Sequence, residues 1–110
     1  MGEREREAWE RRRQFTIEVQ RILLHEWDPI GVADMEGAED EYDGYVPGVL
    51  GVISRGGDEA AVVAFLRGIE RERMELPDLP PDRAQRAARS QLELDRRVWG
   101  APPHPADGGR

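Results

Sequence analysis

The amino-acid sequence predicts an all-α fold, a small array of about four helices with a long N-terminal helix and a disordered C-terminal tail. Apolar residues recur every three to four positions in separate stretches, which is typical of helices packed on one face, and no stretch shows the alternation of a strand. Proline or paired glycine lies between the stretches, where it ends helices. The length of 110 residues suits one domain. We assign it to residues 1–100, with its core in residues 15–76.

The first predicted helix covers residues 3–27, and its two halves differ. Residues 3–13 are nearly all Glu and Arg, with Trp9 as the only large apolar side chain. Pairs of opposite charge at i,i+4 spacing, such as Glu7 and Arg11, stabilise an exposed helix by roughly a few tenths of a kcal/mol each. We therefore expect a solvated first half.

The second half of this helix carries an apolar stripe that covers more than half of its circumference. Its members are Phe15, Ile17, Val19, Ile22, Leu23, Leu24 and Trp27. We expect this half at the centre of the fold, packed on more than one side. Pro29 ends the helix, because proline lacks the amide proton of the helical ladder.

The second predicted helix covers residues 39–55. Its apolar stripe consists of Tyr42, Val46, Val49 and Ile53. Pro47, Gly48 and Gly51 fall on the opposite face, so the sequence predicts a kink whose solvent side carries the lost hydrogen bond. A Gly-Gly pair at 56–57 ends this helix.

The third and fourth predicted helices cover residues 59–73 and 82–99. Asp58 is the expected N-cap of the third helix. The stripe of the third helix is Val62, Phe65, Leu66 and Ile69. The stripe of the fourth is narrow and weak, being formed by Ala84, Ala87, Leu94 and Val98 with Gln91 interrupting it. Residues 101–110 are rich in Pro and Gly and are predicted to be a disordered tail.

Acidic side chains are concentrated in one quarter of the chain. Residues 28–54 contain seven acidic side chains and no basic one, whereas the segments on either side are each neutral overall. The net charge of −7 therefore lies in this segment, which can attract a basic protein surface or hold a cation. The same charge argues against nucleic acid as a partner, since nucleic-acid binding requires a basic surface.

Membrane, secreted and disulfide-bonded classes do not fit the sequence. No run of about 18 apolar residues could span a bilayer. The charged N-terminus lacks the apolar stretch of a signal peptide. Cysteine is absent, which excludes disulfides and thiolate chemistry. We expect a soluble cytoplasmic protein without membrane contact.

The candidate partner-binding residues all come from the acidic segment. They are Asp28, Asp34, Glu36, Asp40, Glu41, Asp43 and Tyr45. Carboxylates at 39–41 would also be explained without binding, because the first turn of a helix attracts negative charge. Tyr45, on the flank of that helix, is the candidate contact residue, since aromatic anchors are over-represented in binding hot spots.

The string from Trp27 to Val32 has two interpretations. In the first, an exposed Trp27 indole beside the Asp28 carboxylate forms a binding corner. In the second, which we favour, the string is a helix stop. Trp27 then covers the core, and Asp28 accepts hydrogen bonds from nearby backbone amides.

A magnesium-dependent nucleotide hydrolase is an alternative use of the same carboxylates. Spacings that suit a hard cation occur among Glu36, Glu39, Asp40 and Asp43. The remaining ligands would come from Glu72 or its neighbours, where Pro77 prevents Glu75 and Asp78 from projecting from one helical face. We therefore predict no catalytic residue, metal site or cofactor.

The chain resembles the YugE-like family of small bacterial helical proteins of unknown function over residues 15–76. The matching residues are Ile22-Leu23-Leu24, the string Trp27 to Val32, Asp40-Glu41-Tyr42-Asp43 with Tyr45, and Phe65, Leu66, Ile69 and Glu70. The resemblance implies an all-helical fold. It implies no activity, cofactor or catalytic residue.

Our preferred hypothesis is a non-enzymatic interaction protein whose segment 28–54 binds a basic protein partner. Small acidic immunity proteins, which neutralise basic nuclease toxins, offer an analogy by type of surface alone. One alternative is the hydrolase above. The other is a scaffold or regulatory subunit that docks through its N-terminal helix.

Overall fold

The computed structural model describes residues 2–100, and within that range it is all-helical, as predicted, with no β-strand. In chain order the elements are α1 (Glu3–Ile22), a π-helical turn (Leu23–Trp27), a 3-10 turn (Asp43–Tyr45), α2 (Val46–Ser54), α3 (Glu59–Glu72) and α4 (Asp82–Trp99). None of these helices combines the length and apolar character that crossing a membrane requires. The predicted disordered tail, residues 101–110, lies outside the described range.

α1 and the π-helical turn together form the long helix predicted over residues 3–27. The widening of its last five residues into π-helical geometry was not predicted. Asp28 follows in the left-handed conformation, with φ of +35°. Its N–H donates to the Leu23 carbonyl oxygen, five residues back, at 3.0 Å. The chain then turns at Pro29, which is buried.

The second helix begins later than predicted. Residues 39–42 form turns, and regular α-helix starts at Val46. Pro47 lies in the first turn of α2, where no amide donor is needed, so it begins the helix and does not kink it. The carboxylates of residues 39–41 therefore do not lie in a helical first turn, and the helix dipole does not explain them.

α3 and α4 match their predicted ranges to within one residue. Asp58 is the N-cap of α3, since its Oδ1 accepts from the Ala61 N–H at 3.0 Å. α4 packs against α1, the π-helical turn and α3. Its buried side chains are Ala84, Ala87, Ala88, Gln91 and Leu94. The core therefore extends beyond residues 15–76, because small side chains let α4 approach its neighbours closely.

The apolar stripes of the first three predicted helices form the core. Every member is buried except Ile17 and Phe65, which are half-buried. α4 adds its alanines and Leu94 to the same cluster. The elements that carry Trp27 and Tyr42 are thereby fixed on one packed body, which positions the loop between them.

Candidate functional site

Six carboxylates lie in residues 34–43, which we call the acidic loop. The acidic loop follows the Pro29 corner, and its last residue, Asp43, begins the 3-10 turn. The loop is a series of overlapping turns. Each of four backbone N–H groups donates to the carbonyl oxygen three residues earlier, at 2.9–3.2 Å; the donors are Met35, Ala38, Glu41 and Asp43. The loop backbone is therefore held by its own hydrogen bonds.

The charges of the acidic loop are not neutralised by the described part of the chain. Five of its six carboxylates are exposed, and Asp43 is half-buried. Among residues 2–100, ion pairs form only between Arg67 and Glu70 and between Arg89 and Glu59. Partial burial of Asp43 and the charge of Asp40 raise the pKa of Asp43. Arginines of residues 2–100 therefore leave the negative charge of the loop uncompensated.

Asp28, predicted as a partner-binding residue, has an internal role. Its Oδ1 accepts from the Tyr42 hydroxyl at 2.7 Å and from the Val32 N–H at 2.8 Å. Its Oδ2 accepts from the Ala33 N–H at 3.1 Å. Partial burial opposes ionisation of Asp28, but these hydrogen bonds outweigh it and lower its pKa. The favoured interpretation of Asp28 as part of a helix stop is confirmed, because both carboxylate oxygens accept hydrogen bonds within the chain.

Tyr42 connects the C-terminal end of the acidic loop to the Pro29 corner before the loop. The ring is buried, as its place on the core stripe predicts. The hydroxyl donates to Asp28 and accepts from the Ile30 N–H at 3.3 Å. Burial and the bond to Asp28 raise the pKa of Tyr42 far above its ordinary value. The Asp28–Tyr42 pair therefore holds the C-terminal end of the acidic loop against the Pro29 corner that precedes the loop.

The interpretation of Trp27 as an exposed binding residue is wrong, since its side chain is 0% exposed. Its Nε1 donates to Oε2 of Glu70 at 2.8 Å, and Oε1 of Glu70 pairs with Arg67 at 3.1 Å. Arg67 also donates to the Leu79 carbonyl oxygen at 2.6 Å. The network joins the π-helical turn, α3 and the linker before α4. One sequence feature indicates this network: Glu70 follows Leu66 by four positions, which places a carboxylate on the buried face of α3.

A cleft of about 550 Å³ opens beside this network, between the Pro29 corner and the start of α4. Four charged residues line it, and two of them are engaged within the chain: Glu70 with Trp27, and Arg83 with the carbonyl oxygen of Asp28 at 2.7 Å. The other two, Asp82 and Arg86, are exposed on α4. The charges cancel, so the cleft has no net charge that would select a ligand.

Tyr45 lies where the acidic loop meets α2. Its ring forms a T-shaped pair with Trp27, with ring centroids 5.9 Å apart and planes at 82°. Tyr45 also lines a groove of about 410 Å³ between α2 and α3, together with Gly48, Phe65 and Gly68. An aromatic-walled groove therefore adjoins the carboxylates of the acidic loop.

Neither a metal centre nor a known relative assigns a function to this surface. Within residues 2–100, no three histidine or carboxylate side chains come together in a way that could hold a metal ion. No family model, curated protein or solved structure matches the chain. Among the described residues, the exposed carboxylates of the acidic loop and the adjoining Tyr45 groove form the candidate binding surface.

Proposed function

We propose that this chain is a non-enzymatic interaction protein whose acidic loop binds a basic protein partner, in an immunity- or antitoxin-like role in the cytoplasm. The observation that carries the proposal is that no arginine within residues 2–100 pairs with the acidic loop. Like charges crowded in one loop repel one another and destabilise the folded chain. Partial burial of Asp43, and after it the charge of Asp40, raise the pKa of Asp43. An arginine- or lysine-rich partner would compensate these charges from outside.

Pre-organisation of the loop supports the same role. The Asp28–Tyr42 hydrogen bond of 2.7 Å and the overlapping turns hold the backbone before any partner arrives. A loop that is already ordered loses less conformational entropy on binding than a flexible one. The exposed carboxylates would thus meet a partner from fixed backbone positions.

Tyr45 and its groove supply the second element that a specific interface needs. Long-range attraction by the loop would accelerate encounter with a basic surface, whereas a packed aromatic anchor would slow dissociation. The ring of Tyr45 is supported from behind by Trp27, at 5.9 Å between centroids. An apolar side chain of the partner entering the groove would contact Tyr45 and Phe65.

The likeness to the YugE-like family is part of this proposal. It covers the segment that contains the acidic loop, Tyr45 and Glu70. It adds a helical scaffold to the proposal and no activity.

A two-hybrid selection against fragments of the host genome tests the proposal. The native chain is compared with the loop triple variant Glu36→Gln/Asp40→Asn/Asp43→Asn. A matched control changes the charge by the same amount elsewhere, at three exposed acidic residues: Glu75→Gln, Asp78→Asn and Glu93→Gln. Basic proteins that bind the native chain and the control, but not the loop triple, are the expected result.

Kinetics with a captured partner complete the test. Association should slow as salt rises, because screening shortens the range of the steering field. Tyr45→Ala should mainly accelerate dissociation and should have little salt dependence. Captured partners that are not basic, or that bind the loop triple as tightly as the control, would overturn the proposal.

A further inference from the structure

α4 buries little apolar side-chain surface for its length. Of its 18 residues, five have buried side chains. Three of these are alanines, one is Gln91, and only Leu94 is a large apolar side chain. By contrast, α3 buries Val62, Leu66 and Ile69 within 14 residues. Since the free energy of burial scales with apolar area, packing of α4 stabilises the fold less per residue than packing of α3.

Gln91 lies on the buried face of α4, between Ala88 and Leu94, and is 1% exposed. Neither its amide nitrogen nor its amide oxygen has a hydrogen-bond partner among residues 2–100. A buried amide without partners destabilises the packed state, because it has lost its hydrogen bonds to water and gained none from the protein. Any motion that returns Gln91 to water therefore relieves part of this destabilisation.

Asp95, one helical turn after Gln91, is a second polar group that loses water when α4 packs. It is half-buried and forms no ion pair with any other residue of the described range. Burial raises the pKa of Asp95, although the charge of Arg96 opposes that change. Ionised Asp95 therefore also favours a state in which this part of α4 is hydrated.

The polar contacts that hold α4 on its neighbours lie mostly at the surface. Within residues 2–100 they join Arg83 to the Asp28 carbonyl oxygen, Ser90 to Glu26, and Arg89 to Glu59. The contacts of Arg83 and Arg89 are exposed, and that of Ser90 is partly buried. Because water can replace an exposed polar contact, these contacts oppose separation of α4 only weakly.

The buried hydrogen bonds that hold the rest of the body together do not involve α4. The bond between Trp27 and Glu70 joins the π-helical turn to α3. The bond between Asp28 and Tyr42 joins the Pro29 corner to the acidic loop. Both bonds, and the packing of α2 on α3 and on α1, can therefore persist when α4 moves away.

We propose that α4 is a releasable helix, which separates as a unit from α1, the π-helical turn and α3 while those elements stay folded. Hydration of Gln91 and Asp95 in the open state offsets the loss of alanine packing. The faces that α4 covers then become a transient apolar surface, which includes Phe15, the partner of Trp99 in a T-shaped ring pair. The release uses no residue of the acidic loop, so it is independent of the proposed function.

Native-state hydrogen exchange of the full chain at neutral pH tests the release. After correction for intrinsic rates, the amides of Ala88 and Gln91 should exchange through one shared opening, at least about tenfold faster than the amide of Leu66 in α3. Low concentrations of urea should increase this opening, because it exposes apolar surface. The loop triple variant should leave the exchange of α4 unchanged, which separates the release from the proposed function.

Substitutions of Gln91 test the cause of the opening. Gln91→Met keeps the length of the side chain and removes the unpaired amide, so exchange of α4 should slow by at least about tenfold. Gln91→Glu places an ionisable group at the same buried position, so it should accelerate exchange of α4 while Leu66 stays protected. Gln85→Met, on the exposed face of α4, is the matched control and should leave the exchange unchanged.

Three results would overturn the releasable helix. The first is exchange of α4 as slow as that of α3, since α4 would then separate only when the whole chain unfolds. The second is unchanged or faster exchange of α4 in Gln91→Met, which would mean that the Gln91 amide does not favour opening. The third is loss of protection in α3 together with α4 in Gln91→Glu, since the two helices would then unfold as one unit.

Discussion

The indole Nε1 of Trp27 donates a 2.8 Å hydrogen bond to Oε2 of Glu70, and both side chains are at most 2% exposed. The bond connects the π-helical turn to α3 across 43 residues of sequence. Since Tyr45, which lines the proposed binding groove, packs against the same tryptophan in a T-shaped pair, this buried bond also helps to position one wall of the groove. Trp27 therefore contacts both Glu70 in the core and Tyr45 at the groove.

Removing the acceptor of this bond should destabilise the chain. In Glu70→Leu, the buried Trp27 N–H loses its acceptor, and Arg67 loses its ion pair but keeps its hydrogen bond to the Leu79 carbonyl oxygen. An unsatisfied buried donor costs about 1–3 kcal/mol. Glu70→Gln should cost less, because its amide oxygen can still accept from Trp27. Urea unfolding followed by circular dichroism measures both. Equal free energies of unfolding for the two variants would show that the Trp27–Glu70 hydrogen bond does not stabilise the fold.

Asp28 should make stability depend on acid pH. Its pKa is lower in the folded chain than the ordinary value of 3.8, so it stabilises the fold at pH values above 3.8. That contribution should be lost as pH falls through the folded-state pKa. The free energy of unfolding should therefore fall more steeply below pH 3.8 in the native chain than in Asp28→Asn. Parallel curves for the two chains would contradict the assigned role.

Ionisation of Asp43 should change the stability of the fold in the opposite direction to ionisation of Asp28. Its pKa is raised in the folded chain, so its ionisation destabilises the fold, and that penalty is present at neutral pH. Asp43→Asn should therefore raise the melting temperature at neutral pH, and the gain should shrink at acid pH, where the native carboxyl is protonated. Glu93→Gln, an exposed change of equal charge on α4, serves as the control.

Two glycines near the Tyr45 groove should respond to alanine in opposite directions. A Cβ at Gly48 would lie 2.2 Å from Cζ of Phe65. Gly48→Ala should cost about 1–3 kcal/mol through overpacking. A Cβ at Gly68 would meet nothing within 4 Å, so Gly68→Ala should stabilise α3 by about 1 kcal/mol. Thermal unfolding of both variants measures the difference, and a shift of the same sign in both would contradict the packing of Phe65 on α2.

Leu66→Ala should be strongly destabilising, because it empties a buried site at the centre of α3. Truncation of a core leucine costs about 2–5 kcal/mol. Met35→Ala is the control, since Met35 is 59% exposed in the acidic loop and its loss should cost less than about 0.5 kcal/mol. Chemical denaturation of both variants gives the comparison.

Local sequence features determined the helices of this protein. The stripes of α1 and α3, the N-cap at Asp58 and the ends of α4 were predicted from residues close together in the chain, because hydrogen bonding, capping and periodicity act over only a few positions. The concentration of carboxylates in residues 28–54 is likewise a property of the sequence.

Tertiary structure decided what those local features do. The prediction that Pro47 kinks the second helix is wrong, because turns precede it and Pro47 lies in the first turn of α2. The carboxylate of Asp28 accepts a hydrogen bond from Tyr42, 14 residues away, which the sequence near Asp28 does not indicate. Trp27 is buried because its indole N–H donates to Glu70, a residue on another helix. These roles depend on contacts between residues far apart in the chain, and such contacts exist only after the helices have packed against one another.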